Sequence, residues 1–155
     1  MPPDTRLDAA EAFWLDEDSP DIHVQHAEAV VAIARALNFR SKSVQSLPVE
    51  RRARALARLP DVSDAVATRI LIAHHFRSKR PLMGAFLDAL GVAHDHGSIT
   101  DDEGIPAPDA EKLAAAVEAV RSGFPDADVT LYLRTLLALD EDTWKNLAGL
   151  VDAAG

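Results

Sequence analysis

The sequence predicts an all-α protein, a single compact bundle of about seven helices, and three observations carry that expectation. Apolar residues recur at helical spacing between Pro, Gly and Asp punctuation, and no segment alternates apolar and polar residues as a strand would. Ala, Leu and Val dominate a chain that is 48% hydrophobic, which suits helices packed closely through small side chains. Aromatic residues are few for a β-sandwich: five Phe, two Trp and one Tyr. With 155 residues and no Gly/Ser linker or low-complexity tract, residues 1–155 read as one domain able to bury its own core.

The elements follow in order. A first helix runs near 6–16, with Leu7, Ala10 and Trp14 on one face. Ser19, Pro20 and Asp21 announce a second, whose apolar stripe is Ile22, Val30, Ile33, Ala34 and Leu37. Pro48 suits the first helical position of "PVERRARALARL", and Pro60 ends that helix. Ser63 or Asp61 caps "DAVATRILIAHHF", which is apolar nearly all round and is expected at the centre of the domain. Pro81 opens a short helix with Leu82, Met83, Phe86, Leu87 and Leu90 as its buried stripe, and Gly91 closes it. The acidic stretch "HDHGSITDDEGIPAPD" reads as the one long irregular loop. Helices near 109–122, 127–139 and 141–153 finish the chain, the last with an acidic first turn that suits the helix dipole. "LPDVSDAVATRILIA" at 59–73 faintly echoes "FPDADVTLYLRTLLA" at 124–138, as two loosely similar helical halves would.

Charge is unevenly spread. The chain carries a net −9, yet residues 40–80 hold ten Lys/Arg against three acidic residues, a local +7. Residues 1–39 sum to −6 and residues 81–155 to −10. Whole-surface binding of nucleic acid is disfavoured, while one basic third remains available to an anionic partner. The absence of cysteine excludes disulfides, thiolate zinc sites and thiol catalysis. The acidic, polar start "MPPDTRLDAAEAF" is unlike a signal peptide, and no apolar run approaches the roughly 20 residues of a membrane span. A cytoplasmic protein with no membrane association is expected.

Basic residues supply the first candidate sites. Arg51, Arg54 and Arg58 share the solvent face of their helix, opposite Val49, Ala53 and Leu56, and an arginine stripe of this kind can track anionic groups. Arg77, Lys79 and Arg80 precede a helix start, whose free amide hydrogens also attract anions. Pairing of this corner with the acidic residues 101–103, or with the protein's other acidic surfaces, is the competing expectation. Arg69 falls within the apolar face of its helix, so a buried guanidinium there calls for a carboxylate such as Asp88 or Asp95.

The histidines supply the second. His23 and His26 lie one turn apart on the second helix, and with His74, His94, Asp95 and His96 they could ligate a divalent metal if three segments converged. His74 borders the apolar arc of its helix, whereas the adjacent His75 points about 100° away to the polar side. "HVQHAEAVVAIARAL" followed by "AHDHG" resembles the opening of the HD-type phosphohydrolases, whose helices carry a histidine and then a His-Asp pair on metal. That resemblance implies His23 or His26 as first ligand, His94 with Asp95 as the doublet, and metal-activated water attacking a phosphoester. It rests on three residues. The doublet follows a glycine break, and 68 positions separate it from His26.

No phosphate-binding Gly-rich loop, nucleophile elbow, His-Glu-x-x-His helix or calcium loop is present. The leading expectation is therefore a non-enzymatic helical domain, needing no cofactor, that binds a protein partner or a second copy of itself. Leu131, Tyr132, Leu133, Leu136, Leu137 and Leu139 put apolar residues on more than one face of the 127–139 helix, a natural partner surface. The alternatives are the metal-dependent hydrolase and an anion or nucleic-acid binder acting through residues 40–80. The last lacks the aromatic residues that single-strand stacking needs.

Overall fold

Helix α1 (Pro3–Leu15) begins with a proline at its first position, where an amide hydrogen would have no intrahelical acceptor. In the computed structural model, which describes residues 1–152 and only the backbone of Asp152, it is the first of five helices in a compact unit spanning Met1–Arg77. Helix α2 (Ile22–Leu37) ends at Asn38, whose φ of 55° is left-handed, and the Phe39 amide donates back to the Ala34 carbonyl at 2.9 Å. Ile22, Val30, Ile33 and Ala34 are buried as the stripe predicts. Leu37 is instead 45% exposed, because the chain runs out into solvent there through Asn38 and Phe39.

Helix α3 (Ser41–Gln45) has no counterpart in the sequence reading. Its five residues hold one apolar side chain, the fully buried Val44, and so present no period. Pro48 caps α4 (Val49–Arg58) instead of opening it, and Ala53 and Leu56 are its buried residues. The Ser63 hydroxyl caps α5 (Asp64–Ser78) by accepting from the Val66 amide at 3.3 Å. Placement of α5 at the centre needs correction. Only Val66, Ala73, His74 and His75 are buried, and residues 67–72 are half-buried. The core of this unit joins Phe13, Trp14, Ile33, Val44, Leu56 and Val66.

The second unit begins at Ser78. Helix α6 (Arg80–Leu90) buries Leu82, Met83, Phe86 and Leu87, leaves Leu90 half-buried and ends at Gly91 with φ of 72°. The supposed loop then forms a small antiparallel hairpin, β1 (His94–Asp95) on β2 (Ser98–Ile99), pairing His94 with Ile99 and Asp95 with Ser98. Its two-residue turn is His96-Gly97, with φ of 47° and 88°, both left-handed as a type I′ turn requires. The fold is otherwise all-α.

Helix α7 (Ala110–Gly123) is capped by the Asp109 carboxylate, which accepts from the Lys112 amide at 2.8 Å. Helix α8 (Asp126–Leu139) packs on it, and the edge of Phe86 meets Tyr132 at 5.5 Å between ring centres. The expected 141–153 helix is broken into α9 (Glu141–Trp144), a 3₁₀ turn (Lys145–Leu147) and α10 (Ala148–Asp152); position 153 lies outside the described residues. The tighter winding brings residues three apart onto one side, which suits Trp144 and Leu147, both buried. The echoing segments fall one in each unit, as α5 and α8. They start differently: α8 follows Pro125 directly, whereas α5 begins four residues after Pro60.

Candidate functional site

Helices α1 and α4 run antiparallel: Trp14 meets Arg52 at one end, while the Pro3–Leu7 turn faces Arg54–Pro60 at the other. At that second end lies a hollow of about 520 Å³. Three guanidinium-bearing residues line it, Arg6 from α1 and Arg54 and Arg58 from α4, with Asp4 as the one carboxylate. All three arginines are exposed, and among the described residues none forms an ion pair. Arg54 and Arg58 come from the arginine face read in the sequence. Arg51 is exposed on the same helix but does not line the hollow.

A second hollow of about 290 Å³ adjoins the first, sharing Arg6, Ala57, Leu59 and Pro60 as walls. Its remaining lining is nearly all apolar and includes Leu56, Val62, Ala67, Ile70 and Leu71. Half-buried apolar side chains of α5 and of the α4–α5 connection thus sit beside an unneutralised arginine cluster. The second unit has a hollow of about 450 Å³, lined by Leu90–Ala93, Ile105 and Pro106 among others. Its charged side chains are of mixed sign, Asp101, Asp109 and Lys112, and Asp109 is already engaged as the α7 cap.

The basic corner at 77–80 is largely spoken for within each unit. In the first, Arg77 donates to Glu11 at 3.4 Å. In the second, Lys79 pairs with Asp128 at 2.8 Å and Arg80 donates to the His96 carbonyl at 2.9 Å. Arg77 and Lys79 thus pair with acidic surfaces of the protein outside residues 101–103.

The histidines scatter. His23 is exposed and His26 half-buried, so neither belongs to the buried stripe of α2. His26 Nε2 donates to the Phe13 carbonyl at 2.6 Å, and its ring lies edge-on to Phe13 at 4.8 Å. His74 and His75 are both buried, which corrects the polar placement of His75, whose Nδ1 donates to the Leu71 carbonyl at 2.7 Å. Both ring nitrogens of His94 are engaged: Nε2 donates to Asp88 at 2.7 Å, and Nδ1 accepts from the Gly97 amide at 3.0 Å. Asp95 and His96 are paired with each other at 3.7 Å on the hairpin. Among the described residues no three His, Asp or Glu side chains gather as a metal ion would need.

Arg69 is half-buried, and Asp88, the partner expected for it, binds His94 instead. The cationic side chain that sequence reasoning missed is Arg52, half-buried against the core residue Trp14. Its guanidinium lies 4.9 Å from the Trp14 ring centre, and its Nε is buried without an acceptor. No period marks it, because it lies at the boundary of the arginine face of α4. Surplus apolar residues on α8 are mostly covered too: Tyr132, Leu133 and Leu136 are buried, Leu131 and Leu137 half-buried, and Leu139 alone of the six is exposed.

Among the described residues of the second unit, two side chains are electrostatically perturbed. Burial pushes the Tyr132 phenol well above its ordinary range. The Thr143 hydroxyl, donating to Asp140 at 2.6 Å, holds that carboxyl below its usual value, helped by the Thr143 amide at 3.1 Å. Asp140 is the N-cap of α9, so this is helix capping and builds no cleft chemistry. No helix among the described residues is long and apolar enough to cross a membrane. Comparison with protein families, with curated proteins and with solved structures finds no match to this chain, so its site is read from its own geometry.

Proposed function

We propose that this chain is a non-enzymatic binding domain that docks an acidic segment of a protein partner on the α1–α4 end of its first unit. One observation carries the reading: Arg6, Arg54 and Arg58 line one hollow and have no ion-pair partner among the described residues, in a chain with 25 acidic residues. Carboxylates are abundant, yet the fold leaves these three cations unneutralised. Guanidinium groups offer paired donors that match carboxylates in geometry as well as charge. The net charge of −9 repels a polyanion as long as a nucleic acid, whereas a short acidic segment meets only the local field.

The test is anisotropy of a fluorescein-labelled oligoglutamate peptide titrated with the full chain. Exposed charge pairs contribute up to about 1 kcal/mol each, so Arg54→Ala with Arg58→Ala should weaken binding roughly fivefold to thirtyfold. Asp4→Ala removes the one opposing carboxylate and should strengthen it about twofold to fivefold. All three side chains are exposed, so thermal melts should be unchanged. Absence of binding at low salt, or equal binding by the double variant, would refute the reading.

A further inference from the structure

We propose that the occupant carries one bulky apolar side chain among its acidic residues, and that this side chain enters the hollow beside the arginines. The proposal rests on the reading above and adds its specificity. The two hollows adjoin, with Arg6, Ala57, Leu59 and Pro60 as common walls, so a bound segment that meets the arginines lies within reach of the apolar walls.

Size admits a bulky side chain. A volume of about 290 Å³ is roughly twice a cavity that admits benzene. One Leu or Phe side chain fits that space. Chemistry selects an apolar one. Leu59, Val62, Ile70 and Leu71 present aliphatic surface, and Arg6 carries the one charged side chain among the lining. Those four side chains are half-buried and gain from further removal from water. The cations and the apolar walls therefore ask for different parts of one segment: carboxylates give charge, and the anchor gives selectivity.

The experiment uses the full chain and three glutamate-rich peptides identical except at one central position, which is Ala, Leu or Phe. Removing a Leu or Phe side chain from water contributes enough that the Leu and Phe peptides should bind about tenfold tighter than the Ala peptide, or more. Ala67→Leu, which fills the hollow from α5, should erase that preference and leave the Ala peptide unaffected. The series on the unaltered chain decides the matter even if that variant folds poorly. Equal binding of all three peptides overturns the anchor and leaves the acidic docking reading standing. No binding by any of them overturns the docking reading itself. Duplex DNA binding more tightly than every peptide would overturn both and assign the arginines to phosphates.

Discussion

Tyr132 is the single tyrosine of the chain, 3% exposed and set against Phe86. Its phenol ionises at a higher pH in the folded chain than in the unfolded one, so the folded state holds the extra proton between those two values. Stability is therefore undiminished below about pH 10, the unfolded value, and falls as pH rises above it. Melts from neutral to strongly alkaline pH should show this loss, and Tyr132→Phe should lessen it; phenolate absorbance, with one tyrosine present, should appear only as the chain unfolds. Residues of this kind are legible in part. Arg54 and Arg58 were readable as a solvent face because helical spacing places them there. Arg6 was not, since it stands alone between Asp4 and Asp8 and acquires its neighbours only when α1 lies along α4.

The long helices were legible because prolines, caps and apolar stripes agree along each of them. Gly91 and Asp109 end and start helices where their chemistry says they should. Short elements were not, and the reason is physical. Helix α3 offers one apolar residue, and the hairpin has strands of two residues with a His-Gly turn, a weaker signal than Asn-Gly. Gly97 is the residue on which that hairpin turns. At φ of 88° an added Cβ would come within 2.5 Å of Met83 Cβ, on the buried face of α6. Gly97→Ala should cost about 2 kcal/mol or more, from the left-handed backbone and the clash together, read as a lower denaturant midpoint. An unchanged midpoint would mean that the hairpin is not seated on α6.

Charge divides the molecule as its cores do. Residues 1–77 hold ten basic and eleven acidic residues, whereas residues 78–155 hold six and fourteen, a net −8. The second unit carries nearly all of the self-repulsion, which salt screens as the Debye length falls from about 10 Å at 0.1 M to about 3 Å at 1 M. Added sodium chloride should therefore raise the melting temperature by a few degrees while it weakens the docking of acidic peptide. Opposite signs for these two responses are the expected result; a common sign would mean that repulsion does not limit stability. The all-α class was legible at this scale from composition and period. The adjoining hollows were not, because Arg6, Arg58 and Ile70 come from three helices whose meeting no local pattern encodes.

Each unit also holds one tryptophan, Trp14 in the first and Trp144 in the second, both buried. Trp14→Phe and Trp144→Phe would each leave a single emitter, so intrinsic fluorescence reports on one unit at a time. Trp14 lies beneath the Arg52 guanidinium and beside the His26 ring, 5.2 Å away. Those two neighbours set its surroundings apart from those of Trp144, which lies beside Phe86, and give the first unit an optical signal of its own.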